Sequence, residues 1–538
     1  MTLNGFNGFL SQKTKSVIMA AGLLATAGLL SRLLGFFRNA LLAYFYGAGD
    51  VLDAYFLAFR LPDFFFNLFF FGAFSAGFVP VFIKLKSENS QKAWKLANDV
   101  LNITLVIFAV FGVLFFAAAP FVLKLIAPGF EGEKLNLAVK LSRIMFLQPI
   151  FLGVSVVFSG LLQSTRRFLA YALAPVFYNL GIIFGILVLA QRFGPAGLAW
   201  GVVIGAVLHM LIQYPAAKHS GFKYRPAFYL KDNSIKEIFH IVVPRSLSLI
   251  LAQLNLVVMA ALASFLGSGR VSVFNFANDL NGLILGVVAV PLGVAVFPVF
   301  SQAVSQGKLR EFGEILVKTL RQLLFVMIPA AVLFFVLRAQ IVRLTLGYGR
   351  FDWTDTVLTI ETLSLFLIGL VFQGVLAIIL RGFFALEDAK TTFWVLFLGV
   401  WVGMIISLFL APIMDVSALA LGLSAAAVFN ATILFYLLNR RINFISGHSL
   451  FKPLSVFILA AVMAGVAARQ VLYFMDRFLD THKVLHLIIQ GGLAGLTGIL
   501  VYLLVTGIFN IPEFKQVLKK TGLKRKIILP SLDEETHQ

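Results

Sequence analysis

Fourteen apolar runs long enough to cross a bilayer follow one another along this chain: 17–46, 52–82, 96–119, 136–163, 168–190, 196–217, 238–266, 271–303, 312–337, 355–384, 391–411, 416–438, 452–474 and 485–508. A helix spans ~30 Å of hydrocarbon with about 20 residues. In lipid, backbone N–H and C=O groups must be satisfied within the segment or in a closed barrel. The runs lack the alternation of barrel strands, so the sequence predicts an all-α integral membrane protein with about 14 transmembrane helices. Only 13% of the residues are charged, about half the share in soluble domains, and a soluble fold is excluded.

The loops between the runs alternate in charge. One set holds Lys13 and Lys15, Lys84 to Lys95, Arg166 and Arg167, Lys218 to Lys236, Lys308 and Arg310, and Arg440 to Lys452. The intervening loops, such as 47–50, 267–270 and 412–415, are short and poor in basic residues. Basic loops stay on the cytoplasmic side, so both termini are expected in the cytoplasm of a bacterial inner membrane. An even number of spans requires the same. Arg343 and Arg350, between the ninth and tenth runs, fit this pattern least well. The net charge of +20 is thus explained by membrane topology and calls for no nucleic-acid partner. The run from Val17 contains Arg32 and Arg38 and outlasts a signal peptide, so it reads as a retained helix.

An internal repeat organises the runs. Gly47-Ala48-Gly49 opens a segment ending Phe78-Val79-Pro80-Val81-Phe82, and Gly267-Ser268-Gly269 opens one ending Val296-Phe297-Pro298-Val299-Phe300. Ala196 to Gly201 is echoed by Ser417 to Gly422, again about 220 residues on. Six helices therefore recur in parallel, as in transporter halves. The expected domains are a six-helix lobe over 1–225, a second over 236–445, two accessory helices over 450–508 and a basic tail over 509–538 that lies amphipathically on the membrane or in solvent.

Ionisable residues inside membrane helices cost about 2.5–3.5 kcal/mol each on insertion scales and mark functional sites. The first helix carries Ser31, Arg32, Gly35, Arg38 and Asn39; Arg32 and Asn39 share a face, as do Ser31 and Arg38. Asp53, Arg60 and Asn67 form a stripe on the second helix, with Asp63 a turn away, among phenylalanines. Asn278, Asp279 and Asn281 mark the equivalent helix of the second half. Asp53 also suits a helix cap and Arg60 a pairing with Asp63, while Arg143, Arg245 and Arg381 lie where long side chains snorkel. Arginines without matching acids suit a phosphate or pyrophosphate, which a guanidinium grips in a bidentate way.

Walker A, HExxH and GxSxG patterns are absent, and there are no cysteines. Neither an enzyme nor a metal or cofactor is expected, and the coupling ion is left open.

The run Ser31-Arg32-Leu33-Leu34-Gly35-Phe36-Phe37-Arg38, with Phe45 to Gly49, Asp53 to Phe56, Phe59-Arg60-Leu61-Pro62 and Gly72 to Pro80, resembles the MurJ (MviN) family of lipid II flippases in the MOP exporter superfamily. The likeness continues through Arg143 to Phe146, Pro175 to Gly185 and Arg381 to Leu386. It implies two six-helix lobes around a cationic cavity, with the last two helices forming a groove for a polyprenyl tail. It also implies a polyprenyl-pyrophosphate-linked sugar as substrate, membrane lipids as partners and cell-wall synthesis enzymes as candidate partners. Substrate-binding residues by position are Arg32, Arg38, Arg60 and Asp53, with Ser31 and Asn39 beside them. The chain departs from the family pattern at Asn39, Phe66, Asn67, Phe71, Asp279 and Gly282, where the family carries charges, and Arg245 is the candidate replacement. The competing readings are a flippase for another undecaprenyl-linked glycan, a MATE-like cation-coupled exporter, a non-transporting scaffold and, last, a membrane glycosyltransferase.

Overall fold

The computed structural model describes residue 10 and residues 17–70, 73–226, 233–442, 447–481 and 483–515. Of these, the side chains at 17, 18, 20, 21, 67–70, 73–76, 233, 239–253 and 447–451 fall outside the description, as do Phe71 and the tail beyond 515. The described chain runs through α1 (Val17–Tyr46), α2 (Asp50–Phe70), α3 (Ala73–Glu88), α4 (Ser90–Ile126), α5 (Gly132–Ser164), α6 (Phe168–Phe193), α7 (Pro195–His219) and α8 (Asn233–Ser264). It continues through α9 (Arg270–Ser305), α10 (Leu309–Thr345), α11 (Trp353–Ala385), α12 (Ala389–Met414), α13 (Ser417–Ile442), α14 (Gly447–Met475) and α15 (Val484–Ile508). Eleven of the expected spans coincide with helices long and apolar enough to cross a membrane. The other three, 17–46, 52–82 and 238–266, fall on α1, on α2 with α3, and on α8.

The chain divides into two compact units. The first holds Met1–Asn278, Thr345–Thr362 and Leu396–Gly422; the second holds Asp279–Leu344, Leu363–Val395 and Leu423–Gln538. The first unit draws on both halves of the repeat and the second only on the second half with the accessory helices, so compactness follows different boundaries from the sequence echo.

In the first unit, α6 and α7 touch backbone to backbone. A Cβ built on Gly201 would stand 2.6 Å from the Gly185 Cα, and one on Gly205 would stand 2.5 Å from the Tyr178 carbonyl oxygen. Small residues four apart let membrane helices approach this closely. α6 widens into a π-turn at Gly185–Leu189 beside the same crossing. The crossing recurs in the second half of the repeat, where Gly422 of α13 meets the Gly403 carbonyl of α12. Elsewhere in this unit Phe78, Phe82, Phe108 and Phe158 build the apolar core. A buried polar chain (Ser155, Ser159, His209 and Gln213) ties α5 to α7.

In the second unit the accessory pair α14–α15 is fastened to α10. Phe325, Phe457 and Tyr502 pack together, and the Tyr502 hydroxyl donates to the Phe325 carbonyl at 2.8 Å. Arg321 pairs with Glu513 at 2.8 Å. Arg343, a misfit in the topology pattern, donates to the Thr481 carbonyl at 2.7 Å. It satisfies a backbone acceptor in a turn, which accounts for a basic residue on that side.

Replacing Gly201 by Val should cost about 1–3 kcal/mol by overpacking. The purified variant should melt several degrees lower in detergent; an unchanged melting temperature would contradict the close crossing.

Candidate functional site

α1 presents its polar residues to α6. The Arg38 guanidinium donates from Nε and Nη2 to Asn39 Oδ1 at 3.2 and 3.0 Å, and from Nη1 to Asn179 Oδ1 at 3.4 Å. Asn179 Nδ2 in turn donates to the Ser31 carbonyl and hydroxyl, both at 3.1 Å, and to the Pro175 carbonyl at 3.0 Å. A Cβ on Gly35 would stand 3.8 Å from Asn179 Oδ1. The glycine leaves room for the amide to reach across the helix. Asn179 sits two residues before Gly181, so the α6–α7 crossing sets its position. Ser31, Arg38 and Asn39 are thus gathered around one residue that the sequence reading did not single out. Its signal was a lone amide in an apolar run, one turn after a proline.

Arg32 is half-buried and has no hydrogen-bond or ion-pair partner among the described residues. The Arg38 hydrogen bonds all end on neutral amide oxygens. α1 thus offers two guanidinium groups that make no ion pair among the described residues.

α2 uses its stripe differently. Asp53 is fully buried and receives Lys134 Nζ at 2.7 Å, Gly269 N at 2.7 Å, Ser272 N at 2.8 Å and Ser272 Oγ at 2.7 Å. A carboxylate of the first half therefore caps the N-terminus of α9 in the second half, where free N–H groups and the helix dipole favour negative charge. The geometry puts Asp53 in a cap of α9, not of its own helix. Arg60, two turns on, donates to Asn275 Oδ1 at 2.7 Å. Phe56, between Asp53 and Arg60 on α2, packs edge-on against Phe276.

The cap is part of a wider latch inside the first unit. Asp355, at the start of α11, accepts from Ala48 N at 2.8 Å, a reciprocal cap on the turn leading into α2. Arg350 N donates to the Tyr44 carbonyl at 2.9 Å, and Arg270 pairs with Asp415 at 2.8 Å. Gly47 and Gly269 have positive φ, and a side chain on either would strike the facing backbone. Lys134 bridges Asp50 and Asp53, each at 2.7 Å. Partial burial pushes the Asp50 carboxyl up, but hydrogen bonds from Lys134 and Ser268 and the Lys134 charge outweigh it, holding Asp50 below the usual carboxylate range. Lys134 was missed in the sequence because it lies in a turn before its span.

The second unit adds less charge. Arg381 is half-buried beside Gly293 and has no hydrogen-bond or ion-pair partner among the described residues. Asn281 donates to Gln373 at 3.1 Å. Phe66 is half-buried in the first unit, and Gly282 faces open space. The side chains of Arg245 and Asn67 lie outside the described residues. No group of metal-ligand type was found among the described residues.

A helical protein with eleven helices long and apolar enough to cross a membrane among its described residues, and with arginines on a further apolar helix, has the build of a multi-pass membrane transporter. The lipid II flippase MurJ family model matches residues 42–489, and the chain belongs to that family. A probable lipid II flippase MurJ from Rhizobium tropici is 30% identical over 453 residues, covering 82% of this chain and 84% of its own. A solved lipid II flippase MurJ in an inward closed conformation superposes with TM-score 0.75 at 26% identity, covering 90% of this chain and 98% of the other. An inward-facing multidrug-resistance MATE transporter of the MOP superfamily shares the fold at TM-score 0.63 and 17% identity, over 77% and 94% of the two chains.

Asp53→Ala would leave Lys134 and three donors facing an empty site, a loss of about 3–5 kcal/mol for a broken buried pair. The chain has no cysteine, so Val273→Cys, at a buried position, reports on the latch. An impermeant maleimide should label it at least about tenfold faster when Asp53 is Ala. Equal labelling rates would exclude a closing role for Asp53.

Proposed function

We propose that this chain moves lipid II from the inner to the outer leaflet of the cytoplasmic membrane by alternating access, for cell-wall synthesis. The observation that carries the reading is the pair of α1 arginines, Arg32 without a partner among the described residues and Arg38 propped by Asn39 and Asn179. They supply two positive charges for a pyrophosphate. Membership of the flippase family agrees with this chemistry, and transport, not catalysis, is the activity. Ser31 and Asn39 orient the arginines, and Arg60 serves either the anion or the α2–α9 contact.

The alternation of basic loops puts both termini in the cytoplasm and the latch turns on the outer face. Asp53 is then the outer latch of the resting protein. The polyprenyl tail lies along the accessory pair, where Leu496, Leu500, Leu504 and Ile508 of α15 stand exposed. An inside-negative potential favours outward movement of an anion by about 2.3 kcal/mol per charge per 100 mV, so no ATP is needed. The arginine bias of α1 argues against a drug exporter, which would bind cations.

The test is lipid II flipping in proteoliposomes. Arg32→Ala and Arg38→Ala should each reduce the rate by tenfold or more at normal expression; full activity in both would sink the site assignment. Depleting the protein in its host should raise inward-facing lipid II, and an unchanged pool would point to another polyprenyl-linked glycan.

A further inference from the structure

A second cationic feature lies in the first unit, on α4 and α5, with no contact to the α1 arginines among its lining residues. Pro120 interrupts α4, and a proline nitrogen cannot donate to the carbonyl four residues earlier. That carbonyl belongs to Phe116, and Arg143 of α5 supplies the missing donor, Nε to O at 3.0 Å. The same guanidinium lies over the Phe116 ring, its carbon 4.6 Å from the centroid. Arg143 is therefore fixed on two sides, and its terminal nitrogens remain for something else. Asn136 and Lys140 share its face of α5, at i, i+4 and i+7 spacing. Together with Phe116 and Pro120 they line a cleft of about 520 Å³. Lys140 and Arg143 have no ion-pair partner among the described residues, and Glu133, the nearest acid along that face, is exposed and pairs with neither.

The neighbourhood says what reaches this cleft. Phe116, Phe121 and Leu125 of α4 are 56%, 75% and 69% exposed, which in a membrane means contact with acyl chains. α5 has 33 residues, about 50 Å at 1.5 Å per residue, against ~30 Å of hydrocarbon. Roughly 10 Å of helix then projects beyond each boundary. Lys140 and Arg143, about 12–17 Å from the start of α5, lie a few ångströms below the boundary, within snorkelling reach of head groups.

We propose that Lys140, Arg143 and Asn136 hold the phosphate of an anionic phospholipid from the surrounding leaflet. Lys140 and the Arg143 terminal nitrogens bind the phosphate oxygens, Asn136 donates from the rim, and an acyl chain lies along the exposed face of α4. This site is independent of the flippase reading, and either can fail without the other.

Native mass spectrometry of the full-length protein, titrated with dioleoylphosphatidylglycerol or dioleoylphosphatidylcholine, tests it. The wild type should retain phosphatidylglycerol after phosphatidylcholine has been stripped. Lys140→Gln should lower that retention about fivefold with an unchanged melting curve. Lys124→Gln, at an exposed lysine paired with Glu131, should behave as wild type, and millimolar inorganic phosphate should leave the adduct in place. Arg143→Lys, which keeps a donor for the Phe116 carbonyl, should show intermediate retention. Wild-type retention in Lys140→Gln, equal retention of the two lipids, or displacement by inorganic phosphate would each overturn the proposal.

Discussion

The cost of a charge in hydrocarbon governs how this protein is arranged. Each ionised side chain within a span must find a partner, reach the interface or be kept for a ligand. The described residues show the first two, and the third is what the proposed function assigns. Asp53 and Lys134 are paired and hydrogen-bonded at a helix terminus. Arg143 reaches a carbonyl that a proline has set free. Arg38 is held by neutral amide oxygens and Arg32 has no polar partner among the described residues, which is why the proposed function assigns them to a bound anion. The division of labour follows from which partner geometry lets each charge reach.

The class of fold was legible in the sequence because membrane insertion is a length and hydropathy problem. Eleven expected spans coincide with apolar helices. The repeat was legible too, and the Gly185–Gly201 crossing answered by Gly403 and Gly422 gives it a packing basis. What escaped notice were contacts between distant elements. Asn179 looked like one polar residue in an apolar run, and Lys134 like a loop lysine. Neither reveals its role until α6 meets α1 or the start of α5 meets α2. Asp53 was legible as important, but a seven-residue stripe cannot tell a ligand contact from a cap on a helix 216 residues away.

The stripe on α2 is better understood as one capping contact and one side-chain contact, both made to α9. Asp53 and Arg60 are seven apart, and their partners Ser272 and Asn275 are three apart, with Phe56, which lies between Asp53 and Arg60 on α2, packed on Phe276. Opposed helices place such pairs together only at one register. The polar stripe therefore specifies how the two helix starts meet, a task that phenylalanines alone would leave open to slippage.

A transporter needs this contact to be specific and yet breakable. Hydrogen bonds to a charged group contribute about 1.5–3 kcal/mol each, so four bonds to Asp53 in a sealed core would be too strong to open. Shifting a two-state equilibrium from 1:99 to 99:1 takes only about 5.5 kcal/mol of differential binding. The latch lies at helix starts, beside the Asp50 carboxylate, whose side chain is 57% exposed. Water is at hand there to replace the bonds as they part, so the net cost of opening falls well below their sum. On the proposed function, a pyrophosphate desolvated between the Arg32 and Arg38 guanidinium groups would be a binding event of the size needed to offset what remains. The same charges one or two turns deeper would be beyond the reach of water, and the latch would not release.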